Sequence, residues 1–172
     1  NIYLDTNIKY FENNIKNWKL FVGIINREVK ISLRLIDWFV TNYSKQYDVN
    51  YKIEINGQKD IFNVYREYKS KLKEYSKKYF DPFKRKATSS FNLKIDGISV
   101  DTNIKQLNYF RWALSSKIIT YIKKHKDEIT LDMKERKQER DATKSLTDSI
   151  IMESETMPDE TEEVKKYSDG NI

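Results

Sequence analysis

The sequence predicts a mainly helical α+β fold, with a long N-terminal helical stretch followed by two β-hairpin–helix (ββα) units. Three observations predict it. Apolar residues recur at helical spacing from Phe11 to Tyr47. Two later segments alternate apolar and polar residues and close on Asn56-Gly57 and Asp96-Gly97. Helical spacing resumes after each of them.

The first stripe runs Phe11, Ile15, Trp18, Val22, Ile25, Val29, Leu33, Ile36, Val40, Tyr43, Tyr47. Its steps are all three or four, which suits helix and excludes strand. Gly23 and Asn26 are its weak points, so it is one kinked helix or two helices meeting there. Then "YKIEING" sets Tyr51, Ile53 and Ile55 against Lys52 and Glu54. Asn56-Gly57 is a two-residue hairpin signal, because both turn positions require positive φ. "FNLKIDG" repeats the device with Phe91, Leu93 and Ile95, and Asp96-Gly97 makes the turn. A short return strand and a helix follow each hairpin. Asp60 is the expected N-cap of the first helix, through Ile61, Tyr65, Tyr68, Leu72, Tyr75 and Tyr79. Thr102 is the expected N-cap of the second, through Ile104, Leu107, Phe110, Leu114, Ile118 and Tyr121.

Past Lys123 the stripe thins into a solvated, charge-paired helix, and from Ser145 the chain is acidic and aperiodic. The expected organisation is one basic domain over residues 1–140, able to fold alone. Residues 141–172 form an acidic tail, disordered unless a partner holds it. Charge follows the same division. The net +6 resolves into 29 Lys/Arg against 17 Asp/Glu up to Arg140, and 3 Lys against 9 Asp/Glu beyond it. A basic body of +12 suits phosphate or an acidic protein surface. An AT-rich coding composition would produce the same lysine excess. The chain begins at Asn1 rather than methionine, which suggests a processed or partial protein.

Composition removes several chemistries. There is no cysteine, hence no disulfide scaffold, thiolate metal site or cysteine nucleophile. The single histidine, His125 in "KKHKD", reads as a solvated surface residue rather than a catalytic base. Zinc lacks ligands, and four scattered glycines make no phosphate loop. No apolar run is long enough to span a bilayer. A carboxylate-bound metal survives only as a weak pattern: Asp159 ahead of Glu163-Val164-Lys165 is too tightly spaced for a nuclease motif, and Asp81 before Pro82 is ordinary turn chemistry. No catalytic residue, metal or cofactor is therefore expected.

One stretch, "YSKKYFDPFKRKATSS", carries the functional question. Tyr75 and Tyr79 fall on the apolar face of the preceding helix. Asp81-Pro82 is expected to stop that helix, with Phe80, Pro82 and Phe83 forming a corner pinned to the core. Lys77, Lys78, Lys84, Arg85 and Lys86 fall off that face and gather as a basic rim. With Arg111, beside Trp112, they are the candidate contacts for nucleic acid or an acidic partner. A solvated basic turn accounts for the same residues.

The words Asn42-Tyr43-Ser44-Lys45, Tyr75-Ser76-Lys77-Lys78, Phe80-Asp81-Pro82-Phe83 and Gln106-Leu107-Asn108-Tyr109-Phe110-Arg111-Trp112 resemble an uncharacterised protein family of the nucleocytoplasmic large DNA viruses, the giant viruses. The resemblance covers about residues 18–125. It departs at Lys84, where the family tends to carry a cysteine. It implies a viral setting, in the virion or the interior of the infected cell (cytoplasm or nucleus) and not secreted, and it supplies no catalytic residues. The favoured expectation is a non-catalytic structural or interaction protein, such as a minor capsid, inner-shell or assembly component, whose partners are other viral proteins or further copies of itself. The alternative is a basic accessory or regulatory protein that binds DNA or RNA.

Overall fold

The N-terminal stripe folds into several helices. In the computed structural model, which describes residues 1–76, 78–85 and 89–156, α1 covers Ile2–Glu12 and α2 covers Ile15–Ile25. After a loop, α3 at Leu33–Trp38 passes through a π-helical turn at Phe39–Tyr43 into α4 at Ser44–Gln46. Of the two expectations at Gly23 and Asn26, separate helices rather than one kinked helix are found: α2 ends at Ile25 with Asn26 as its C-cap, and helix resumes at Leu33. The cause is a Schellman ending. Arg27 takes a left-handed φ of 59°, its N–H donates to Ile24 O (3.2 Å), and Glu28 N–H donates to Gly23 O (2.8 Å). The chain then folds back so closely that a Cβ on Gly23 would stand 3.2 Å from Val29 Cγ1.

Both hairpins form. β1 (Asn50–Ile55) pairs antiparallel with β2 (Gln58–Asn63), and β3 (Phe91–Ile95) with β4 (Ile98–Thr102). The turn residues have positive φ throughout: Asn56 51° and Gly57 78°, Asp96 52° and Gly97 74°. The helix caps differ from expectation. Asp60 lies inside β2 opposite Ile53, and Thr102 lies in β4 opposite Phe91. A tight turn makes the return strand as long as the outgoing one, so the cap falls at the strand's end. There Asn63 accepts from Arg66 N–H (3.0 Å) and opens α5 (Val64–Tyr75). Asn103 accepts from Gln106 N–H (2.9 Å) and opens α6 (Ile104–Ser115).

α5 ends at Tyr75, before Pro82 is reached, because Ser76 turns to φ 57°. Tyr79 therefore leaves the helix and is 39% exposed, packing its ring 5.5 Å from Tyr3 rather than in the core. The second long stripe also divides. Lys117 is left-handed (φ 64°), so α7 starts afresh at Ile118–Lys124. His125 is not merely solvated: its ring stacks on Tyr121 at 4.2 Å, and Nδ1 lies 3.8 Å from Glu128.

The chain divides into two units, Asn1–Met133 and Lys134–Ile172. The first holds the core, with Trp18, Phe21, Phe39, Tyr109 and Phe110 among its largest fully buried side chains. Trp18 Nε1 donates to Ile98 O (3.1 Å), which ties α2 to the second hairpin. The last helix, α8, runs over Lys126–Thr156. Trp38 Nε1 and Tyr47 OH donate to the two carboxylate oxygens of Asp132 on its first turns, each at 3.0 Å. Helix continues through residues 141–156, where the sequence leaves the chain aperiodic and disordered. No proline or glycine interrupts the chain between Lys126 and Thr156, so a helix persists there without an apolar stripe. No helix among the described residues is long and apolar enough to cross a membrane.

Candidate functional site

The corner after α5 is built by α6. Phe80 is buried, stacked on Tyr75 (5.5 Å, 13°) and edge-on to Trp112 (5.4 Å). Pro82 is buried too, and its carbonyl accepts from Gln106 Nε2 (2.9 Å). Tyr79 O accepts from Asn108 Nδ2 at 2.9 Å. Two amide side chains of α6 thus replace the backbone partners that an irregular segment lacks. Phe83 differs from Phe80. It is only half-buried, and its outer face meets the Arg85 guanidinium 5.2 Å from the ring centre.

The cations of the corner differ in their surroundings. Lys78 and Lys84 are exposed and form no ion pair among the described residues. Arg85 is partly neutralised, since Nε donates to Asp81 Oδ2 (3.1 Å) while Asp81 Oδ1 accepts from Phe83 N–H (2.9 Å). Lys77 and Lys86 lie outside the described residues, as does the Asp159–Lys165 pattern. Arg111 points into the fold. Its Nε donates to Asn7 Oδ1 (2.7 Å) and its other donor to Tyr75 OH (2.8 Å). Asn7 in turn donates to Asn108 Oδ1 (2.8 Å), so Arg111 anchors a polar network joining α1, α5 and α6. Asp37 belongs to the same corner electrostatically. Burial chiefly pushes its carboxyl above the usual aspartate range, Asp81 adds to the rise and Arg85 opposes it.

Phe83 also lines a groove of about 640 Å³. Its floor includes Ile24, Ile31, Leu35 and Met133. Around it stand Arg27 and Lys30 from the α2–α3 loop, Arg34 from α3 and Lys126 from the start of α8. No Asp or Glu lines it among the described residues, and none of the four cations is in an ion pair there. A second groove, of about 330 Å³ between the first hairpin and α6, has Asp60 and Glu67 against Lys71 and so a rim of mixed sign. The first groove had a legible signal. In "REVKISLRL" the cations Arg27, Lys30 and Arg34 fall among Val29, Ile31, Leu33 and Leu35, on a loop that runs into α3 at Leu33. Among the described residues, no cluster of three or more acidic or histidine side chains is arranged to hold a metal.

This chain is similar to the "Uncharacterized protein L507" of Acanthamoeba polyphaga mimivirus, with 42% identity over 166 residues. The match covers 91% of this chain and 64% of that protein, so the chain spans under two thirds of its relative's length. No solved structure matches. The model of a family of unknown function, DUF7197, matches residues 1–171, and the chain belongs to that family, with a relative in a giant virus.

Proposed function

We propose that the chain is a non-catalytic structural or interaction protein of a large DNA virus, a minor capsid, inner-shell or assembly component that works by engaging an acidic protein surface. One observation carries the reading: four cations stand around an apolar-floored groove without an acid to neutralise them. Cations around bare apolar surface suit a partner that brings carboxylates and apolar side chains together. The composition supports the non-catalytic part. The chain has no cysteine, and its one histidine is stacked on Tyr121.

Particles purified from infected cells and analysed by quantitative mass spectrometry test this. The chain should be retained in them, and lysine cross-linking should join Lys30 or Lys126 to viral proteins. Absence from the particles, with no cross-linked viral partner, would overturn it.

The second reading is a nucleic-acid-binding accessory protein, favoured by the exposed, unpaired Lys78 and Lys84 at the corner. Under that reading duplex DNA binds at low salt, and affinity falls with a log–log slope of about −0.9 per phosphate contact. Reversing Lys78, Lys84 and Arg85 to Glu should abolish that binding while leaving the fold intact.

A further inference from the structure

We propose that the groove around Arg27, Lys30, Arg34 and Lys126 receives the acidic helical segment Ser145–Thr156 of a second copy of the chain. The segment carries Asp148, Glu153 and Glu155 and no cation. It is helical, and it leaves Leu146 64%, Ile150 58%, Ile151 49% and Met152 68% exposed. Four large apolar side chains bare within seven residues form a patch rather than scattered surface positions. Leu146 and Ile150 stand one turn apart on the same helix face, and Glu153 follows on that face.

The groove presents the complement: an apolar floor, four cations and no described acid. Opposite charges steer the encounter and set its register, while the apolar side chains supply the burial. The same complementarity holds at the scale of the chain, where residues up to Arg140 are basic and those beyond are acidic. A groove-to-helix contact between copies is heterologous. It closes as a dimer when reciprocated and extends as a ring or filament when it is not.

This inference rests on the interaction reading above and names its partner as self. Sedimentation velocity of the full chain over a range of concentrations tests it. Wild type should form species larger than a monomer as concentration rises, and these should dissociate as salt increases. R27E/K30E/R34E and D148K/E153K/E155K should each be monomeric, and an equimolar mixture of the two should associate again, because acidic groove then meets basic helix. All six positions are exposed, so both variants should keep wild-type circular dichroism. Leu146→Ser with Ile150→Ser should also be monomeric, which separates apolar docking from general charge attraction. A wild type monomeric at every concentration, charge variants that associate as wild type does, or a mixture that stays monomeric would each overturn the inference. Such a result leaves the interaction reading to its own test on viral particles.

Discussion

The hairpin–helix unit at Asn50–Tyr75 and the one at Phe91–Ser115 use the same local devices. Each has an antiparallel pair, a two-residue turn at positive φ and an asparagine cap. They differ in burial. α6 buries eight of its twelve residues, from Gln106 to Leu114. α5, of equal length, buries only Val64 and Tyr75. Identical turn and cap chemistry therefore sets where each element starts, while the tertiary surroundings decide how much each contributes to stability. The second unit is the centre of the core, and the first lies over it with an exposed outer face.

The largest effect should come from the second unit. Phe110 is fully buried, 4.9 Å from Phe21 and 5.8 Å from Tyr109. Phe110→Ala should cost about 3–5 kcal/mol. Leu72→Ala, at a half-buried site of α5, should cost under about 1 kcal/mol. Urea denaturation of both variants measures the gap. Equal losses would mean that the two helices share the core evenly.

The corner joining the units repeats the contrast on a smaller scale. Phe80→Ala empties a site walled by Tyr75, Tyr109 and Trp112 and should cost about 3 kcal/mol. Phe83→Ala exposes little that is not already open and should cost about 1 kcal/mol. Thermal melts that ranked Phe83 above Phe80 would make the groove side, not the α6 side, the anchor of the corner.

Much of this arrangement is legible in the sequence. The two-residue turns are, because Asn-Gly and Asp-Gly have few other uses between alternating strands. The helix ends are not. Four of them are made at positive φ by residues other than glycine: Arg27, Asp48, Ser76 and Lys117. Val49 N–H donates to Ser44 O (3.1 Å) after Asp48, as Glu28 N–H does to Gly23 O after Arg27. Glycine is the usual mark of such an ending, so a break near Gly23 and Asn26 is legible in the sequence while the residue that makes it is not. The candidate site was harder still. The basic corner was visible as a run, but Arg111 and Arg85 are drawn into pairing that only the fold reveals. Three of the groove cations, Arg27, Lys30 and Arg34, lie close together in sequence, but Lys126 comes from α8, and only the fold brings it to them.

Turn and cap substitutions sharpen the comparison, because here the two units should respond alike. A Cβ on Gly57 or Gly97 would meet nothing within 4 Å, so only the positive φ opposes a side chain. Gly57→Val and Gly97→Val should each cost more than about 1 kcal/mol, by similar amounts. Asn63→Ala and Asn103→Ala should each cost about 1 kcal/mol. Asn103 should lie at the upper end, since it is 2% exposed and its loss leaves a buried N–H unsatisfied. Chemical denaturation midpoints for the four variants check this, and a turn variant that is neutral in one unit alone would show that its hairpin is dispensable.

The smallest effect should come from Asp37, beside the corner that connects the units. Burial raises its pKa most, Asp81 raises it further and Arg85 lowers it. Burial chiefly raises the hydroxyl pKa of Tyr68 and of the fully buried Tyr109, and the Asp37 charge raises both further. A carboxyl whose folded-state pKa lies above the ordinary 3.8 keeps its proton longer in the folded chain than in the unfolded one. Below that ordinary value both states are protonated and the group's stabilising contribution is fully present. As pH rises from there through the raised value, the unfolded chain releases its proton first, and the contribution is lost. Asp37→Asn removes the titration. The variant should match wild type at acid pH and be the more stable of the two at neutral pH, with the difference opening between the ordinary and the raised value. Melting temperatures across that range measure it. A variant less stable than wild type at neutral pH would mean that ionised Asp37 is held by Arg85 more strongly than burial opposes it, and that the corner is an ion-paired joint rather than a desolvated one.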